Sequence, residues 1–231
     1  MPVLHTDFAI GQGVGDKQSG QVMEYVELRD RIKEIIESLG WYETTTCPDD
    51  GSSVRYSVVD SGTTTGAICP RCQHQVIGGD LRYGTGEPYR DFFQDAIAVC
   101  LTIGRDESFL GNSVPLILAH TSLEVFLRGI VSQALGEKGV DEAVAQFLSD
   151  KADMKSYGEL LDRLGIKVKG RKEWEALREV SAMRNDAVHR GMSPNDEKLL
   201  LVFRRVAEIF RSLAGSHISS GSGIPLEEAE S

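Results

Sequence analysis

The chain is short of positive charge: 25 Lys and Arg stand against 35 Asp and Glu, for a formal net charge of −10. Phosphate binding draws its affinity from Lys and Arg, so the balance argues against a chain-wide nucleic-acid surface and requires any such site to be local. The deficit is uneven. Residues 1–87 hold 7 basic against 13 acidic residues, residues 88–215 hold 18 against 19, and the stretch from 216 holds none against 3. The C-terminal two thirds is therefore nearly neutral and can carry a basic patch. Long apolar runs are also missing: no window reaches 18 uninterrupted apolar residues, the length of a candidate span. The start MPVLHTDFAIGQGVGDKQSG has no basic segment leading into an apolar one, so neither a membrane span nor a secretory leader is expected, and the expected location is the cytoplasm. Cysteine is scarce too. Four residues, two of them paired in CPRC, are too few and too unevenly spaced for a disulfide scaffold and suit metal binding in a reducing compartment.

With 41% hydrophobic and 26% charged residues, the 231-residue chain can bury a sizeable core as one elaborated domain or two small ones. GQGVGDKQSG (11–20) is a glycine-rich lead-in; Gly11, Gly13 and Gly15 follow GxGxG spacing and lack the lysine and Ser/Thr pair of a phosphate loop. A helix is expected over 21–39, with Val22, Val26, Ile32, Ile36 and Leu39 near one face and Gly40 ending it. From Trp41 to Gly86 the texture changes to Thr, Ser and Gly with β-like runs VRYSVV and CQHQVI. A unit so poor in apolar residues needs a staple.

From Pro88 the sequence turns helical. Phe93, Ile97, Cys100 and Leu101 mark one helix; Leu116, Ala119, Leu123, Phe126, Leu127, Ile130 and Ala134 mark a longer one, opened by NSVP with Ser113 as the expected cap. Shorter helices fit VDEAVAQFLSD and SYGELLDRLG, and two more are expected over 171–190, closed by Gly191, and 194–214. The last has Ser193 as the expected cap, Pro194 in the first turn, Asp196 and Glu197 at the positive end of the dipole, and a stripe of Leu199, Val202, Phe203, Val206, Ile209, Phe210 and Leu213. The expectation is a mainly α helical bundle with short connections over 88–215, preceded by a helix plus small β-rich module over 21–87 and followed by a disordered acidic tail over 216–231.

ICPRCQHQV puts Cys69 and Cys72 in a tight turn, the geometry by which a zinc knuckle presents two thiolates. A second knuckle should lie upstream, where TCPDD has Cys47 followed three positions later by Asp50 in place of a cysteine. The pattern looks like a zinc ribbon with one ligand exchanged. Three cysteines with either Asp50 or His74 complete a tetrahedron, and the zinc expected there is structural rather than catalytic. Cys100 falls on an apolar stripe and reads as core.

REVSAMRNDAVHRG (178–191) sets a different problem. On a wheel at about 100° per residue, Leu177 and Val188 lie about 20° and 40° to one side of Arg184, and Val180 and Ala187 about 40° and 60° to the other. A guanidinium centred in an apolar stripe calls for an anion or a partner surface. Asn185 and His189, four apart, follow on one flank at about 100° and 140°, while Asp186 faces away. Arginine's planar fork suits a phosphodiester and the added charge of its transition state, and histidine suits proton transfer at a ribose 2′-hydroxyl or a leaving oxygen. The chemistry implied is RNA cleavage without a catalytic metal.

MRNDAVHRG also resembles the Arg-x4-6-His signature of HEPN domains, including the polar residue after the arginine, and ILAHTSLEVFLRGIV, YGELLDRL and a closing helix surround it in matching order. The likeness covers about residues 88–214, with a zinc-ribbon-like module ahead of it. The resemblance implies an all-α up-and-down bundle that dimerises, two copies of Arg184, Asn185 and His189 facing a shared cleft, and RNA as substrate. A homodimeric endoribonuclease in a toxin or antiviral defence role follows, with a regulatory protein or antitoxin as a further partner. HEPN toxins silenced by nucleotidyl transfer carry a tyrosine two residues after the histidine, where this chain has Gly191. His120 and Glu124, four apart on the long helix, are candidates to line the cleft; Lys167, Lys169, Arg171 and Lys172 are candidates to contact the RNA backbone. Two rival readings stand beside this one: a non-catalytic HEPN module that binds nucleotide or RNA or acts as a partner scaffold, and a nucleic-acid-binding ribbon dimerised by the bundle.

Overall fold

The computed structural model describes residues 23–60, 67–77, 87–103, 111–166 and 172–217. The glycine-rich lead-in, Val22, three of the four loop cations (Lys167, Lys169 and Arg171) and the tail beyond 217 lie outside the described residues. Among the described residues, seven α-helices carry most of the chain: α1 (Tyr25–Ser38), α2 (Pro88–Ile103), α3 (Ser113–Glu137), α4 (Glu142–Lys151), α5 (Met154–Arg163), α6 (Lys172–Arg190) and α7 (Asp196–His217). Between α1 and α2 lie two antiparallel strand pairs, β1 (Glu43–Thr46) with β2 (Ser53–Tyr56) and β3 (Ala67–Ile68) with β4 (Gln75–Ile77). The class is mainly α with a small N-terminal β region.

Period-3.6 stripes become the core. Every apolar residue expected on the buried faces of α2, α3 and α7 is buried, and they form one cluster with α1, α5 and α6. Helix α3 is, among the described residues, the one helix long and apolar enough to cross a membrane, but Leu116, Leu123, Leu127 and Val131 are buried inside the bundle. Helix α1 belongs to the same core through Leu28, Ile32, Ile35 and Ile36. Val26 does not share that face and is 65% exposed; Leu28, one turn before Ile32, takes its place. The bundle thus draws on residues upstream of the β module as well as downstream. Gly40 closes α1 at φ +68°, a conformation that favours glycine.

Two expected caps are relocated. Asn112, not Ser113, stands at the head of α3, and its amide donates to the Pro194 carbonyl (3.1 Å) and Asp196 Oδ1 (2.8 Å) instead of capping its own helix. Ser193 accepts from the Asn112 backbone N–H (3.0 Å), and Asn195 caps α7 by accepting from the Lys198 N–H (3.0 Å). Pro194 therefore precedes α7. The polar residues at this end tie α3 to α7 because both helices begin there.

Trp41 joins the β module to the bundle. Its ring stacks on Phe210 at 5.7 Å and meets Phe93 edge-on at 5.9 Å, while the Arg90 guanidinium covers it at 4.8 Å. Below it, Asp60 is 1% exposed, accepts from the Ser57 N–H (2.9 Å) and pairs with Arg29 (3.3 Å) and Lys33 (3.5 Å) of α1. At the other end, the Trp174 ring lies on Gly158 so closely that a Cβ there would come within 2.1 Å of it. Gly158→Ala is expected to displace α6 from α5 and to lower stability by about 1–3 kcal/mol, read as an earlier midpoint in urea unfolding.

Candidate functional site

The α6 helix carries Arg184, Asn185 and His189 in its last two turns, before Gly191 ends it at φ +63°. Its buried face is Ala176, Leu177, Val180 and Ala187. This face is centred about 40° from Arg184, so the arginine sits at the edge of the stripe and not in its middle. Arg184 is half-buried, and Val188, one turn on, is 44% exposed. The expectation of a centred arginine fails because Val188, counted as core on the wheel, faces outward with it. Asn185 and His189 are exposed on the same flank. Asn185 Oδ1 accepts from Arg184 Nη1 at 3.2 Å, so the side-chain amide holds the guanidinium.

Helix α3 brings His120 and Glu124 to the side of α6 that carries Ser181 and Arg184. His120 is 4% exposed, with Nε2 3.3 Å from Ser181 Oγ of α6 and Nδ1 3.7 Å from Glu124 Oε1. Ser181 donates to the Leu177 carbonyl at 2.9 Å, one turn back on α6. Burial, and then the nearby Arg184 charge, push the His120 pKa down to about 4. Burial raises the Glu124 carboxyl above its usual range, opposed by Arg184 and then Arg128. Arg128 in turn pairs with Asp150 of α4 at 3.4 Å. A neutral imidazole, a carboxyl group, a hydroxyl and a guanidinium therefore meet at the α3–α6 seam. Glu124 and His120, expected from spacing alone, lie there; Ser181 and Arg128 were not singled out. Ser181 sits about 60° from Arg184 on the wheel, and a polar residue beside a buried stripe was the signal available.

The neutral His120 makes the fold acid-sensitive. In the unfolded chain the imidazole protonates near pH 6.5, whereas in the folded protein it resists down to about pH 4. Between these values the unfolded state binds more protons, so stability falls as pH drops through that window, by up to about 3 kcal/mol. Glu124, shifted upward, acts in the opposite sense. Urea unfolding from pH 7 to pH 4 is expected to show a steeper loss for the wild type than for His120→Gln.

Of the loop cations, only Lys172 is described; it is exposed in the first turn of α6. It lies at the opposite end of that helix from His189.

The second candidate centre lies in the β module. Ligand atoms of Cys47, Asp50, Cys69 and Cys72 all fall within 4.8 Å of one another, close enough to bind a metal ion. Cys47 and Cys69 are buried, whereas Asp50 and Cys72 are exposed. The Cys47 and Cys72 sulfurs are 3.5 Å apart, and Asp50 Oδ2 is 3.5 Å from the Cys69 sulfur. A tetrahedron with metal–sulfur bonds of about 2.3 Å has edges of about 3.8 Å, so the spacing suits one ion. His74 is turned away, its Nδ1 lying 2.8 Å from Asp49 Oδ2. Hydrogen bonds from the Ser52 hydroxyl and backbone N–H hold the Asp50 carboxyl well below the usual carboxylate range. Cys100 is buried in the bundle core, away from this cluster.

Fold and centres together define a mainly α protein with a polar α3–α6 seam and a separate thiol-rich candidate metal centre. No protein-family model, curated protein or solved structure matches the chain.

Proposed function

We propose that the chain is a HEPN-type endoribonuclease that acts as a homodimer, cuts RNA without a catalytic metal and serves in toxin or antiviral defence. The observation that carries the reading is that Arg184, whose guanidinium donates to Asn185, acts on His120 and Glu124 where α6 crosses α3, with His189 exposed further along α6. Arg184 binds the scissile phosphate and offsets the charge that grows on it. His189 moves the proton. The ribose 2′-oxygen attacks the adjacent phosphorus, the bond to the 5′-oxygen breaks, and the products are a 2′,3′-cyclic phosphate and a 5′-hydroxyl. The proton leaves the 2′-hydroxyl and one is delivered to the 5′-oxygen, so the step is balanced by acid–base transfer alone.

Dimerisation is supported by the apolar groups beside these residues. Val188 and Met192, 44% and 56% exposed, flank His189 and provide a surface that a second α6 would cover. Light scattering of the purified chain tests this, and a monomer at micromolar concentration would count against the shared cleft. The β module, stapled by zinc at Cys47, Asp50, Cys69 and Cys72, would select RNA or a regulator. The second reading, a non-catalytic module that binds nucleotide or a partner, is favoured by the net charge of −10. Incubation with mixed RNA, without added divalent metal ions, separates the two, since only the enzyme yields 5′-hydroxyl ends.

A further inference from the structure

The two turns of the β module are copies of one another in backbone geometry. In the first, Cys47-Pro48-Asp49-Asp50 leads to Gly51 at φ +72°; in the second, Cys69-Pro70-Arg71-Cys72 leads to Gln73 at φ +61°. The Gly51 N–H donates to the Cys47 carbonyl at 3.0 Å, as the Gln73 N–H donates to the Cys69 carbonyl at 3.0 Å. The Cys47 N–H donates to the Ser52 carbonyl at 2.8 Å, as the Cys69 N–H donates to the His74 carbonyl at 2.8 Å. Gln73 is, among the described residues, the one non-glycine at positive φ. Holding that conformation costs free energy, which the turn's hydrogen bonds must offset. By this equivalence Asp50 occupies the position of Cys72, and Ser52 that of His74.

We infer that Asp50 is a built-in fourth ligand of a three-thiolate, one-carboxylate site for a thiophilic divalent ion, and that Ser52 is its positioning residue. Asp50 Oδ1 accepts from both the Ser52 N–H (2.9 Å) and the Ser52 hydroxyl (2.5 Å). Oδ1 is thereby engaged by Ser52, and both carboxylate oxygens lie beside the Cys69 sulfur, Oδ2 at 3.5 Å and Oδ1 at 3.7 Å. Ser52 Oγ also lies 3.0 Å from the Cys69 sulfur, so one hydroxyl touches both turns. A ligand fixed in this way loses little freedom on binding, the arrangement by which outer groups raise metal affinity about 10- to 100-fold. His74, in the corresponding place on the other turn, is paired with Asp49 and is not a ligand. The inference rests on the proposal that this module holds a metal, and not on the ribonuclease reading.

Cobalt(II), which takes zinc's tetrahedral geometry and is visible by absorption, tests it on the full-length chain. The wild type is expected to take one ion, with a ligand-field band of tetrahedral position. Asp50→Ala lowers affinity at least about 10-fold in competition with a chelator while leaving the thiolate-to-metal absorption per bound ion unchanged. Asp50→Cys binds with added thiolate absorption, and this keeps the test informative if the alanine variant unfolds the turn. Ser52→Ala weakens binding with the thiolate absorption intact, and Ser52→Thr restores it. His74→Ala changes nothing. Stoichiometric binding that is indifferent to Asp50→Ala, or that is lost in His74→Ala, would overturn the assignment while leaving the metal in place. A wild-type chain that takes up no ion would overturn the metal itself.

Discussion

Arg184→Ala is expected to lower RNA cleavage by about 100- to 1,000-fold, and His189→Ala by about 100-fold or more, with little change in thermal midpoint for either. The reason for the small stability cost lies in their placement. Arg184 is at the margin of the buried face and His189 is exposed, so neither substitution opens a cavity in the cluster around Leu177 and Val180. On the proposed reading the rate effect is large because a guanidinium beside a phosphodiester would act where charge develops, and no other described cation of α6 is half-buried next to His120 and Glu124. Arg184→Lys tests geometry against charge: a point charge on a flexible stem replaces a planar fork, and most of the activity should still be lost. Initial rates on a fluorogenic RNA, alongside melting curves, check all three variants. Loss of cleavage accompanied by unfolding would assign the residues to structure.

The second large effect concerns metal removal. The β module's own core consists of Cys47, Val54, Ala67 and Cys69, with Tyr56 and Val76 packed against it. Two of those four buried residues are candidate ligands, so with a metal bound the same sulfurs would serve as both core and staple. Four strands of two to four residues cannot hold against chain entropy on so little apolar area. Chelation is therefore expected to unfold the hairpins while sparing the helices. Hydrogen exchange should show complete loss of protection over β1 to β4 and little change in α2, α3 and α7, whose core is separate. Protection that persists in the hairpins after the metal is gone would mean that packing alone holds them.

The legible part of the fold was the part with a period. Phe93, Leu123, Phe203 and Phe210 were readable as buried because helical spacing repeats their pattern over several turns. Single residues against a boundary were not. Val188 matched a stripe by angle but faces outward, since what covers a helix is decided by its neighbours and not by its own sequence. Val26 lies about 120° from Ile32 on the wheel and so stands off the face it was grouped with. Ser193 and Asn112 had the right chemistry for caps and serve instead as ties between α3 and α7, a choice set by tertiary contact. Trp41 read as the first residue of the β module, yet its ring is held by Phe93 and Phe210 of the bundle. In the candidate sites, Asp50 was visible through its spacing from Cys47. His120 and Glu124 were visible through their spacing from each other. That they join Arg184 followed only from the family resemblance, and their meeting with Ser181 was not legible, because it depends on how α3 crosses α6.

The central claim is that the α6 flank carrying Arg184 and His189 cleaves RNA through the ribose 2′-hydroxyl. It is tested most directly by incubating the wild-type chain, without added divalent metal ions, with a set of RNA oligonucleotides and with the same set made 2′-deoxy throughout. The account predicts cleavage of the RNA alone, leaving 2′,3′-cyclic phosphate and 5′-hydroxyl ends. No cleavage of any RNA, or equal cleavage of both sets, would contradict it.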